Sequence, residues 1–215
     1  MRDGYQLPGS PSLAEDTAPA DPLDLFATWF ADVAAAAVPE PNAMVLSTVS
    51  PDGWPQARTV LLKGYDGEGL RFFTNTTSAK AADLAATPRA SLVFPWHAAQ
   101  RQVRVTGEVR RLSDDVVAAY FATRPRDAQL GAWASPQSAV VGSRADLEAR
   151  LVEVAERFPE DEPVPVPPHW GGYRVVPATW EFWAGRAGRL HDRLRYRRTG
   201  GSGEPAAWLL ERLAP

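Results

Sequence analysis

A chain of 215 residues with 45% hydrophobic and 10% aromatic side chains can fill one core but is short for two complete domains. Its formal charge of −3 argues against a nucleic-acid or anionic-membrane surface, and the lack of cysteine excludes disulfides, thiolate catalysis and Cys-type metal sites. Three scattered histidines, His97, His169 and His191, do not make a metal centre, and no run of about 18 apolar residues suggests a membrane helix.

Met1 to Tyr5 leads into Pro, Ser and acidic residues without an apolar stretch, so no secretory signal is expected and the chain reads as cytoplasmic. Residues 1–20 read as a mobile segment, and residues 21–215 as a single domain. Asp21-Pro22 starts a helix, with Asp as cap and Pro at the first helical position, running to about Ala37. Strands are expected over Ala43–Val49, Gln56–Lys63 and Leu70–Thr74, joined by turns at Pro51-Asp52-Gly53 and Asp66–Gly69. A short helix over Ser78–Ala86 stops at Thr87-Pro88. Further strands follow at Ala90–Phe94 and Gln100–Leu112. Ser113 and Ser143 cap helices reaching Phe121 and Phe158. Pro159–Pro168 is an extended connector, and strands close the chain at Tyr173–Val176, Thr179–Trp183, Leu190–Arg197 and Ala207–Arg212. The fold class is mainly β (α+β), an antiparallel barrel with peripheral helices. No βαβ alternation and no G-x-G-x-x-G motif supports a Rossmann site.

Chemistry concentrates near the carboxyl end, in Trp180–Trp183 and Arg189–Arg193. On a strand, Arg189, His191 and Arg193 would share a face. Such a trio suits a flat, phosphorylated ligand, since Arg stacks on rings and forks onto phosphate. An Arg-rich edge strand is the plainer reading. Among 23 Lys and Arg residues only Lys63 and Lys80 are lysine, which marks two places where a compact ammonium is used instead of a planar fork. On a regular strand Arg58 and Lys63 would face opposite ways unless a bulge intervenes.

Several segments in order resemble the pyridoxine/pyridoxamine 5′-phosphate oxidase family: Arg58–Lys63, Phe73-Thr74-Asn75 with Ser78 and Lys80, Phe94-Pro95-Trp96, Arg124–Asp127, Gln137-Ser138, Trp170-Gly171-Gly172, Glu181-Phe182-Trp183 and Arg189–Arg193. The resemblance spans Asp21 to Pro215. It implies an FMN-binding split β-barrel acting as a homodimer, with flavin between subunits. FMN would be held by Arg58, Lys63, Phe73, Thr74, Lys80, Gln102, Gln137, Ser138, Trp183 and Arg193. The substrate would be bound by Lys63, Tyr120 and Arg124, with Arg189 and His191 in the catalytic roles. Arg2 and Tyr5 match lid residues of the family. The implied reaction oxidises pyridoxamine or pyridoxine 5′-phosphate to pyridoxal 5′-phosphate by hydride transfer to flavin, with O₂ reduced to hydrogen peroxide.

Two positions depart from the family pattern. Ala128 stands where a Ser hydroxyl commonly helps bind the substrate phosphate, and Ala79 where an Arg often reaches the FMN phosphate. Both departures imply weaker binding with the chemistry intact. Trp96, Trp133 and Trp170 read as packing residues. Two other functions compete: a related flavin oxidase acting on a tricyclic acid in phenazine-type biosynthesis, and a carrier of flavin or pyridoxal phosphate without turnover.

Overall fold

In a computed structural model, which describes residues 13–200 and 207–215, five helices surround one nine-stranded antiparallel sheet. The first helix, α1 (Pro22–Ala35), begins where Asp21 accepts a hydrogen bond from the Leu23 N–H. This fills one of the donor vacancies at a helix start. Its buried face carries Leu25, Phe26, Trp29 and Val33. Phe26 is fully buried, with its ring centroid 5.0 Å from Phe94, 5.1 Å from Tyr65 and 5.3 Å from Trp180.

The strands are β1 (Ala43–Val49), β2 (Pro55–Leu61), β3 (Gly64–Asp66), β4 (Gly69–Asn75), β5 (Arg89–Trp96), β6 (Arg101–Arg111), β7 (Trp170–Ala184), β8 (Asp192–Thr199) and β9 (Ala207–Arg212). Alternation places Met44, Leu46, Leu92, Phe94, Val103, Val105, Phe182 and Leu194 inside. The helices α2 (Ala79–Ala86), α3 (Asp114–Ala122), α4 (Arg126–Ala134) and α5 (Arg144–Arg157) complete the fold.

The sheet splits along β7. The two strands expected at Tyr173–Val176 and Thr179–Trp183 are one 15-residue strand, paired with β6 along one edge. On its other edge it pairs first with β4, from Asn75↔Trp170 to Leu70↔Val175, and then with β8, from Thr179↔Arg197 to Ala184↔Asp192. Pro177 falls between these partners, where its missing N–H costs no ladder bond on that edge. Opposite it the β6 register shifts between Thr106 and Gly107. A Cβ on Gly107 would lie 2.0 Å from the Val176 carbonyl oxygen, so only glycine permits this approach.

One helix was not anticipated, and one expected strand starts late. The helix α4 carries no sequence signal: Pro125 caps it without a side-chain bond and only Leu130 and Ala132 are buried. It is held from outside, by Arg126 donating to the carbonyls of Phe158, Pro159 and Glu162. The strand expected at Leu190–Arg197 starts late. Gly188 and Arg189 have φ of 66° and 63°, in the left-handed region, and β8 begins only at Asp192. Arg189 and His191 thus lie on a turn and its exit, and strand alternation does not place them on one face with Arg193.

Candidate active site

Lys63 owes its position to a corner. Leu62 N–H still bonds back to Asn42 beside β1, whereas Lys63 N–H bonds to the Arg71 carbonyl on β4. The chain crosses from one half of the barrel to the other between these residues. The five-residue alternation from Arg58 therefore stops at Leu61, and Lys63 turns into a cleft of about 740 Å³. Phe73, Thr74, Lys80, Tyr120, Arg124 and Gln137 line the same cleft.

Lys80 brings a buried cation to the cleft. Lys80, on the buried face of α2, directs its ammonium to Gln137 Oε1 at 2.7 Å, Thr74 Oγ1 at 3.1 Å and Ser78 Oγ at 3.2 Å. Burial lowers its pKa, the nearby Arg58 charge lowers it further, and Asp83 partly offsets both. Arg58 does not line the cleft. It lies just behind Lys80, donating to Thr48 Oγ1 at 2.6 Å and to the Leu46 carbonyl at 3.3 Å, and pairing with Asp83 at 3.3 Å.

Arg124 brings another cation to the cleft. Arg124 has its guanidinium 4.1 Å above the Trp170 ring, and its buried Nη1 has no hydrogen-bond partner. Burial holds its pKa below the ordinary arginine value. A desolvated fork with an open donor fits a phosphate. In the same cleft, Phe73 stacks on Tyr120 with centroids 3.9 Å apart and planes at 14°. A Cβ on Gly172 would come within 2.8 Å of the Phe73 ring, so this glycine makes room for the stack.

The remaining residues form a second group. Gln102, Trp183 and Arg193 lie side by side across β6, β7 and β8. Arg193 bonds Glu181 through both Nε and Nη2, at 2.9 and 2.7 Å, and donates to the Ala214 carbonyl. His191 packs against Trp183 at 4.7 Å and accepts from the Arg186 N–H through Nδ1. Arg189 is exposed on its turn, and Ser138, with φ of 73°, follows Gln137 outside the cleft lining. Arg2 and Tyr5 lie outside the described residues. None of this second group lines the cleft.

Sequence reading missed Thr48 and Asp83, whose importance appears only when α2 packs on β1. It also read Trp170 as packing, although Trp170 lines the cleft and supports Arg124. Its indole N–H is buried without a partner. Among the described residues no group of His, Asp and Glu could hold a metal ion, and no helix is long and apolar enough to cross a membrane.

An antiparallel split barrel bearing a cleft lined by cations and stacked rings defines a class of small-molecule-binding proteins. Comparison with known proteins narrows it. Residues 30–158 match the family described as pyridoxamine 5′-phosphate oxidase, and residues 170–215 match the pyridoxine 5′-phosphate oxidase C-terminal dimerisation region. The chain is 54% identical to the pyridoxine/pyridoxamine 5′-phosphate oxidase of Streptomyces avermitilis and 53% identical to that of Thermobifida fusca. Both alignments cover all of this chain, with 95% and 96% of those proteins respectively. Among solved structures, PhzG from Burkholderia lata 383 in complex with tetrahydrophenazine-1-carboxylic acid has a TM-score of 0.88 at 30% identity, covering 96% of this chain and 98% of that one. A pyridoxamine 5′-phosphate oxidase-related, FMN binding protein from Nostoc punctiforme PCC 73102 shares the fold with a TM-score of 0.69 at 20% identity, covering 92% of this chain and 98% of that one. The chain belongs to the pyridoxine/pyridoxamine 5′-phosphate oxidase family.

Proposed function

We propose that this protein oxidises pyridoxamine 5′-phosphate, pyridoxine 5′-phosphate or both to pyridoxal 5′-phosphate, as an FMN-dependent homodimer using O₂. The carrying observation is one cleft lined by Lys63, Lys80 and Arg124, with Nη1 of Arg124 open to a ligand. Two phosphorylated molecules, one flavin and one substrate, need more than one such cation.

The donor set fits FMN. Arg58, Lys80 and the hydroxyl of Thr74 suit a phosphate, and the Gln102 and Gln137 amides suit the polar edge of a flavin ring. What FMN supplies when bound is acceptance of two electrons from the substrate's C4′ carbon and their delivery to O₂, giving hydrogen peroxide. The protein's own work is placement. Lys63, Tyr120 and Arg124 hold the substrate phosphate, and the rigid Phe73–Tyr120 stack limits where a ring can lie. Arg189 and His191 act on the pyridine ring through orientation and electrostatics. Ser138, Trp183 and Arg193 complete the flavin site.

A homodimer gives the second group a role. Trp183, Arg189, His191 and Arg193 all fall within residues 170–215, the part that matches a dimerisation region. One protomer's cleft would meet its partner's Gln102, Trp183 and Arg193 row. The expected mobile segment does not extend over residues 13–20, where Leu13 is buried, Glu15 pairs with Arg212 and the Pro19 carbonyl accepts from the Tyr196 hydroxyl. The protein would work in the cytoplasm.

The test is anaerobic. FMN-loaded protein mixed with either B6 phosphate should lose its visible flavin band, and air should restore it as pyridoxal 5′-phosphate and peroxide accumulate. The close structural likeness to PhzG supports one alternative, oxidation of a tricyclic acid. Bleaching by such an acid but by neither phosphate would favour it. A protein that stays yellow with all three would be a carrier.

A further inference from the structure

We propose that Asp83 is a positioning residue that orients Arg58 toward the flavin phosphate, an inference that rests on the flavin site described above. Asp83 and Lys80 are three residues apart on α2 and therefore share its buried face. Asp83 is 4% exposed and Thr48 is 3% exposed. Asp83 Oδ2 accepts from the Thr48 hydroxyl at 2.6 Å and from Arg58 Nη2 at 3.3 Å, while Thr48 Oγ1 accepts from Arg58 Nη1 at 2.6 Å. The Leu46 carbonyl takes another Nη1 bond. The Arg58 fork is thereby held by Leu46 and Thr48 of β1 and by Asp83 of α2.

The charges explain why a carboxylate is used. Two cations, Arg58 and Lys80, meet beside one buried anion, and the cluster of three carries a net positive charge. Without Asp83 the two cations would face each other in a poorly solvated place, where repulsion favours losing the Lys80 proton. The direction of the Lys80 shift agrees: burial and Arg58 push it down, and Asp83 pushes it up. Asp83 thus favours the charged form of Lys80 while leaving the cluster attractive to a phosphate.

The test compares two flavins. FMN and riboflavin share the ring and differ in the phosphate, so the ratio of their affinities reports the phosphate end alone. Wild-type apoprotein should bind FMN far more tightly than riboflavin, as read by quenching of flavin fluorescence. Asp83→Ala should weaken FMN binding roughly ten- to a hundredfold, the range for losing an outer partner of a ligating group, and leave riboflavin nearly unchanged. Thr48→Val, which removes the hydroxyl between Arg58 and Asp83, should shift the ratio in the same direction in a fold that keeps its buried carboxylate. A merely structural role would weaken both flavins equally. Wild-type protein favouring FMN, with both variants keeping that preference, would overturn the role of Asp83 and leave the flavin site standing. Equal affinities in wild-type protein would overturn the site and this role together.

Discussion

Replacing Arg124 with Met separates stability from function, because the two respond with opposite logic. In the native protein the Arg124 guanidinium is desolvated and, among the described residues, has no carboxylate partner and leaves Nη1 unbonded. Its visible support is the Trp170 ring at 4.1 Å, worth about 0.5–2 kcal/mol. Met keeps an apolar stem of similar length, can pack on the same indole and removes the desolvation cost. The free protein should therefore stay within about 1 kcal/mol of wild type, unlike the roughly 3–5 kcal/mol lost when one partner of a buried ion pair is removed. Substrate binding should suffer. Each charge-assisted bond from a guanidinium to phosphate is worth about 1.5–3 kcal/mol, so losing the fork should raise KM for pyridoxamine 5′-phosphate about a hundredfold or more. Oxidation of pyridoxamine without its phosphate should change little. Thermal denaturation of the free protein and steady-state kinetics with both substrates make the comparison. A variant that loses several kcal/mol of stability while its KM stays at the wild-type value would refute the assignment of Arg124 to the phosphate.

Other perturbations probe neighbouring parts. Ala128 lines the cleft beside Arg124, so Ala128→Ser should lower KM for the phosphate substrate by about tenfold, the worth of one added hydrogen bond to a charged group; an unchanged KM would remove position 128 from the phosphate site. Because the free protein holds the Lys80 pKa below 10.5, FMN affinity should fall as pH rises through that lowered value, and Lys80→Met should flatten the profile. The same shift means the folded apoprotein binds fewer protons than the unfolded chain between the lowered pKa and 10.5, so its stability should rise with pH across that window, checked by denaturant titration. Phe26→Ala should cost about 3–5 kcal/mol in the same titration, since the ring is fully buried among Tyr65, Phe94, Trp96 and Trp180.

Much of the fold follows from short-range chemistry. Asp21-Pro22 starts α1, Ser143 caps α5 by accepting from the Asp146 N–H, and the period of two along Ala43–Val49 and Arg101–Arg111 decides which side chains enter the core. The two lysines among 23 basic residues both reach the cleft, which composition alone had marked. Sequence likewise named the residues that gather there from β4, α2, α3 and the loop after α4. Tertiary structure decided the rest. Lys63 enters the cleft because the backbone changes hydrogen-bonding partner between residues 62 and 63, an event that strand alternation does not encode. Arg189 and His191 leave the strand pattern because two left-handed residues precede β8. Helix α4 forms because Arg126 finds three carbonyls more than thirty residues away, and Asp83 meets Arg58 and Thr48 only when α2 lies on β1. Periodicity and capping act over a few residues, so the sequence states them directly. Partners of a buried charge are chosen by packing, and packing is settled only when the whole chain is in place.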